Sequence, residues 1–134
     1  MSAVFDIAAI ARKFPETADT MLVDTRLTDE QEASARVFRI YTNVPAHYHS
    51  TCDEYLFVVS GRCMFTMGAM APFEAAVGQL VFFKKGTVHA IELLGKEPLV
   101  FLSVDTPRRD PKDVIFVNPA DGTPETFIET RKLY

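Results

Sequence analysis

The chain has three histidines, His47, His49 and His89, and the first two stand in the segment HYHSTCDEYLFVVSG with Glu54 close behind. On an extended strand residues i and i+2 share a face, so His47 and His49 can offer imidazole nitrogens to one point while Tyr48 turns away. His89, forty residues further on, must reach the same point by folding. Neutral imidazoles with one carboxylate suit a divalent first-row ion such as Fe, Mn, Ni, Zn or Co, with bonds of roughly 2.0 to 2.2 Å in the zinc case. The absence of thiolates from the set disfavours copper(I) and iron-sulfur clusters. Three nitrogens and one oxygen would fill four octahedral positions and leave about two open for water, dioxygen or a bidentate substrate. A bland alternative exists for each histidine taken singly, a satisfied interior side chain without metal. All four residues in register make one ion per chain the better expectation.

The elements that must position these groups read mostly as strands. Met21 to Leu27, Ser34 to Thr42, Glu54 to Val59, Arg62 to Met67, Gln79 to Phe83, Val88 to Leu94 and Leu99 to Asp105 are rich in β-branched or aromatic residues, with turn formers between them. Many short strands in under ninety residues predict a sandwich or barrel. Residues 3 to 14 carry apolar positions near helical spacing, and Pro15 would stop that helix. Within 134 residues the length predicts a single domain, 1–134, with an N-terminal helix and arm over 1–20, a barrel over 21–105 and a C-terminal arm over 106–134. The last segment, dense in proline and charge, has apolar islands at Val114 to Val117 and Phe127-Ile128. These suggest packing along the outer sheet or against a neighbouring protomer; a partly ordered tail is the other reading. Tyr55 to Val59 and Leu80 to Phe83 are apolar on both faces, which predicts an outer cover by the tail or by a second subunit, and hence a homodimer.

Strand parity proposes what surrounds the site. Leu56 and Val58 follow Glu54 inward, and Ile91 and Leu93 share the face of His89, so the cavity is expected to be largely apolar. Arg36, Arg39, Tyr41 and Gln79 are the polar residues most able to hold a substrate, and Cys63 shares a face with Phe65 and Met67. An arginine on a strand is more often an outer, solvated residue. Lys84-Lys85 and Arg108-Arg109 read as solvated loop charges, and Cys52 as a plain loop cysteine rather than a redox-sensitive one.

A net charge of -4 without clustered Lys and Arg argues against a nucleic-acid partner. No run approaches the roughly 18 to 20 apolar residues that span a bilayer, and the N-terminus lacks the basic leader and cleavage site of a signal peptide. A cytoplasmic location with two free thiols, Cys52 and Cys63, is the expectation.

The segment also resembles a known family. His47, His49, Glu54 and Gly61 match the first motif of the cupin superfamily, H-x-H, then three or four residues, E, then six residues, G. Gly78, QLVFF, Lys84-Lys85-Gly86, Thr87-Val88 and His89 are similar to its second motif, with Arg62 to Val77 between the two. Tyr41 stands where the family has a glycine, Lys84 where it has a proline, and Leu93 where an asparagine often follows. The resemblance implies an all-β double-stranded β-helix, the jelly-roll barrel of a small single-domain cupin, with His47, His49, Glu54 and His89 as metal ligands. Cupins include dioxygenases, isomerases, decarboxylases, lyases and non-enzymatic binders. The resemblance therefore implies a small metalloenzyme of dioxygenase or isomerase type acting on a small polar molecule, or a non-catalytic protein that binds or senses a sugar or organic acid.

Overall fold

Runs of β-branched and aromatic residues build eleven strands among residues 2–134, the part of the chain that the computed structural model describes. They are β1 (Leu22–Asp29), β2 (Ser34–Ile40), β3 (Val44–Tyr48), β4 (Asp53–Ser60), β5 (Arg62–Met67), β6 (Phe73–Ala76), β7 (Leu80–Phe83), β8 (His89–Leu94), β9 (Leu99–Thr106), β10 (Ile115–Phe116) and β11 (Ile128–Thr130). One sheet has the order β11-β1-β2-β9-β4-β7 and the other β10-β3-β8-β5-β6. Non-sequential neighbours in both sheets make the all-β double-stranded β-helix rather than a meander. The seven expected strands are all present, and β3, β6 and two short C-terminal strands join them.

Alternation along each strand separates inside from outside. In β4, Glu54, Leu56 and Val58 are buried while Tyr55 and Phe57 are exposed. In β2, Arg36, Phe38 and Ile40 point inward, with Phe38, Ile40, Leu56, Val58, Phe65, Ile91 and Phe101 forming the barrel core. A second apolar layer lies outside the larger sheet, where Ile10 and Phe14 cover Val23, Val37 and Val100. Burying side chains of this size stabilises by about 1.5–3 kcal/mol each. The helix that supplies Ile10, α1 (Ile7–Ala11), is shorter than the spacing predicts: the Asp6 carboxylate caps it by accepting from Ala9 N–H. On the outer face of β4 this layer reaches Val59, and among the described residues the rest of that face and the outer face of β7 are left less covered. Tyr55, Phe57, Leu80 and Phe82 stay exposed there, with the Tyr55 and Phe82 rings 4.7 Å apart.

Two motif glycines have a visible reason. Gly61, at the turn between β4 and β5, has φ +76, and a Cβ there would stand 2.6 Å from the Pro98 carbonyl oxygen. Gly86 has φ +80, and its N–H donates to the His49 carbonyl at 2.7 Å, tying the turn before His89 to the first histidine pair.

The C-terminal segment is a wall, not an arm along the outside. β10 pairs antiparallel with β3, setting Phe116 opposite His47, and β11 runs parallel to β1. Between them the short helix α2 (Pro124–Phe127) is held by a capping box of Thr123 and Thr126. Val114, Phe116 and Phe127 are buried in the barrel core itself. No helix among the described residues is long and apolar enough to cross a membrane.

Candidate metal centre

A register irregularity between Val44 and His47 breaks the alternation in β3, so both are buried although three residues apart, and His49, just past the strand end, is buried two residues beyond His47. Directly across the ladder, His47 is the register partner of His89 in β8. The three rings meet inside the barrel, with centroids 4.1 Å apart for His47 and His89, 5.0 Å for His49 and His89 and 5.2 Å for His47 and His49. One ligating atom from each lies within 4.8 Å of the others. Each ring is anchored through Nδ1 to a backbone carbonyl: His47 to Pro45 at 2.8 Å, His49 to Asp113 at 2.7 Å, and His89 to Thr87 at 2.9 Å. A carbonyl only accepts, so Nδ1 carries the proton and Nε2 keeps its lone pair for the cavity. Metal-binding histidines are oriented in this way.

Burial drives all three histidines toward the neutral base. Desolvation lowers the pKa of His47 and His49 well below the ordinary value, and lowers that of His89 to about 3. Neighbouring imidazoles and Arg109 act in the same direction. The donor set is thus three neutral nitrogens in a water-poor site, which fits a divalent ion.

Glu54 reaches the same interior from β4, but its oxygens are engaged by arginines. Oε1 forms an ion pair with Arg109 Nη2 at 2.8 Å, and Oε2 accepts from Arg36 Nη2 at 3.0 Å and from Ser103 Oγ at 2.9 Å. Oε1 also lies 3.5 Å from His49 Nε2. A carboxylate has about four lone-pair sites, so one direction toward His49 remains. Arg36 further binds Asp24 and Asp105, and Arg109 binds Asp105 and the Cys52 thiol, with Nε to Sγ at 3.3 Å. Burial opposes the charge on Arg109, and Glu54 and Asp105 outweigh it, so its pKa is raised.

Here the sequence reading of Arg108-Arg109 needs correction. Arg108 is exposed and pairs with Asp29, whereas Arg109 is fully buried because two interior carboxylates require a cation. Cys52 does lie in the loop before β4, but it is buried against Arg109, and burial pushes its pKa up. The signal available for Arg109 was the count of inward acids, Glu54 and Asp105, on strands whose parity is readable.

The space between these groups is small. A cavity of about 20 Å³ is lined by the three histidines, Glu54, Arg36, Arg109 and a ring of Leu22, Phe38, Ile40, Val44, Leu56, Ile91 and Phe127, room for about one water. Leu56 and Ile91 take the positions that parity assigns, and Val58 and Leu93 pack in the core nearby. The other polar candidates are not brought to this cavity. Arg39 and Tyr41 leave β2 on the opposite face, bond the Pro15 carbonyl and line an outer groove of about 310 Å³. Gln79 is exposed in a turn, where its side chain accepts from Ala76 N–H. Cys63 is buried in the core between β6 and β8, its thiol pushed up to about 11 by desolvation.

A family profile described as a cupin domain matches residues 41–105. No curated protein matches the chain. Among solved structures, the chain is similar to a Klebsiella pneumoniae protein with a double-stranded β-helix domain: 19% identity, TM-score 0.66, covering 81% of this chain and 93% of that one. It is similar to the DMSP lyase DddQ of Ruegeria pomeroyi at 24% identity and TM-score 0.58, covering 67% of this chain and 45% of the lyase. It is also similar to oxalate decarboxylase of Bacillus subtilis, a protein with Mn(II) centres, at 20% identity and TM-score 0.57, covering 66% of this chain and 24% of the decarboxylase. At these identities the likeness is one of fold.

Proposed function

Since the chain belongs to the cupin superfamily, we propose that it holds one divalent metal ion at His47, His49 and His89, with Glu54 beside them, and acts as a small metalloenzyme of dioxygenase or isomerase type on a small polar molecule. The observation that carries this reading is the convergence of three neutral imidazoles, each fixed through Nδ1 so that Nε2 faces one cavity. Fe, Mn, Ni, Zn and Co all suit the donor set. An ion held there supplies Lewis acidity toward a carbonyl or enediol, or electrons for dioxygen chemistry if it is iron.

The chain's own residues supply the rest. The apolar ring excludes water, which strengthens every charge interaction inside. The Arg36 and Arg109 guanidinium groups hold the Glu54 carboxylate in place. A second reading, a non-catalytic binder of a sugar or organic acid, draws support from the lining: beyond the histidines, Glu54 and the two arginines paired with it, the cavity presents apolar groups and no further acid or base. Two buried free thiols fit a cytoplasmic setting, and the bare aromatic faces of β4 and β7 fit a homodimer.

Elemental analysis tests the centre. Purified protein should carry close to one divalent ion per chain, sharply reduced in His49→Ala and Glu54→Ala; metal retained undiminished by both variants overturns the site. A panel of α-keto acids, catechols, aldose phosphates and thiols, screened in air and anaerobically with each metal, then separates the classes. Oxygen uptake selects the dioxygenase, isomerisation without oxygen the Lewis acid, and thermal stabilisation without product the binder.

A further inference from the structure

The cavity at the histidines has room for about one water, yet nearly all of its walls are fixed in sheets. Ile40 and Leu56 lie on strands hydrogen-bonded to neighbours on both sides, and Ile91 on a strand paired with both β3 and β5. Phe127 is different. It comes from a helix of four residues that leads into the three-residue edge strand β11, which has β1 as its one partner. Its ring is buried, with its centroid 5.2 Å from His47, 6.4 Å from His49 and 6.1 Å, edge-on, from Phe116. Of the apolar lining, it is the side chain that touches the imidazoles and rests on the least framework.

We infer that Phe127 sets the size of the ligand that the histidine centre admits: seated, it confines the site to ligands of very few atoms, and displaced, it opens the barrel mouth to larger ones. This rests on the proposed metal centre. Removing the phenyl group frees a volume on the order of 100 Å³, the scale at which apolar cavities take up a five- or six-membered ring. Packing against a single apolar wall discriminates ligand size by about tenfold to a few hundredfold.

The test compares wild type with Phe127→Ala, with Phe127→Leu should the alanine variant fail to fold, and with Phe14→Leu, which disturbs only the outer apolar layer. Each is loaded with cobalt(II) and titrated with azide and with imidazole, read by visible absorption. The preference for imidazole over azide should rise about tenfold or more in Phe127→Ala, rise less in Phe127→Leu, and stay unchanged in Phe14→Leu. Full cobalt occupancy with an unchanged preference in both Phe127 variants overturns the inference and leaves the metal centre standing. Wild type that takes up no cobalt overturns the metal centre instead. A metal-free arm then decides the role of Phe127 by itself: diethyl pyrocarbonate should modify the histidines about tenfold faster in the Phe127 variants than in wild type, and equal rates overturn the plug.

Discussion

The two walls of the cavity face each other across a few ångströms and are built on opposite principles. The wall from β1, β2, β4 and β9 carries Asp24, Arg36, Glu54, Ser103 and Asp105, joined by Arg109, and these groups satisfy one another. The wall from β3 and β8 carries imidazoles, each of which uses Nδ1 on a carbonyl and keeps Nε2 for the interior. Buried charges that are fully paired hold geometry, and breaking one pair leaves an uncompensated ion. Buried bases with a free lone pair are positioned for something the chain does not itself contain. The difference teaches which wall is frame and which is site, although both are equally buried and polar.

The largest expected effect falls on the frame. Arg36→Met deprives Asp24, Glu54 and Asp105 of their shared cation and should destabilise the metal-free protein by about 3–5 kcal/mol in urea unfolding; a loss below about 1 kcal/mol, the value of a surface pair, would break the comparison. The imidazole wall should respond to pH instead. His89 titrates at about 3 when folded and near 6.5 when unfolded, so the unfolded chain binds more protons between those values. Stability is therefore complete above pH 6.5 and falls as pH drops toward 3, by up to ~1.4 kcal/mol per unit for this one histidine, or about 2 kcal/mol between pH 6.5 and 5. His47 and His49 shift in the same direction and add to it. Unfolding midpoints of metal-free protein that stay flat across that range would show that the rings are not held neutral.

The smallest effect probes the join between the walls and the C-terminal segment. The Asp113 carboxylate accepts from the backbone and hydroxyl groups of Ser50 and Thr51, while its carbonyl anchors His49. Asp113→Ala frees the loop and loosens that anchor, and should weaken cobalt affinity by about tenfold, or ~1.4 kcal/mol, with little change in fold stability. Unchanged affinity would mean that the carbonyl keeps its place without the carboxylate clamp.

Much of the imidazole wall is legible in the sequence, because its determinants are local. The i, i+2 spacing of His47 and His49, the inward parity of Glu54, Leu56 and Val58, and the shared face of His89 and Ile91 all follow from strand geometry. The charged wall is less so. Arg36 and Arg39 sit three apart on one strand, each face also bears apolar residues, and parity alone cannot say which face is interior. The structure turns Arg36 in with Phe38 and Ile40, and Arg39 out with Val37 and Tyr41. Arg109 was least legible: in TPRRDPKD nothing periodic marks one arginine as buried, since its partners Glu54 and Asp105 lie on other strands. Apolar residues at Val114, Phe116 and Phe127 announce that the C-terminal segment packs somewhere, but only the pairing of β10 with β3 and β11 with β1 shows that it packs on the site.

That pairing also has a consequence for the order in which the molecule is made. Chains are synthesised from the N-terminus, so His47, His49 and His89 and the strands that carry them exist before Asp113, Phe116 and Phe127 do. For that interval the barrel mouth has no closing wall, and the nitrogens face water. Contacts spanning a hundred residues, such as Leu22 with Ile128, form slowly relative to local hairpins. Whatever the three nitrogens bind therefore has easier access to them before the last strand docks than after it.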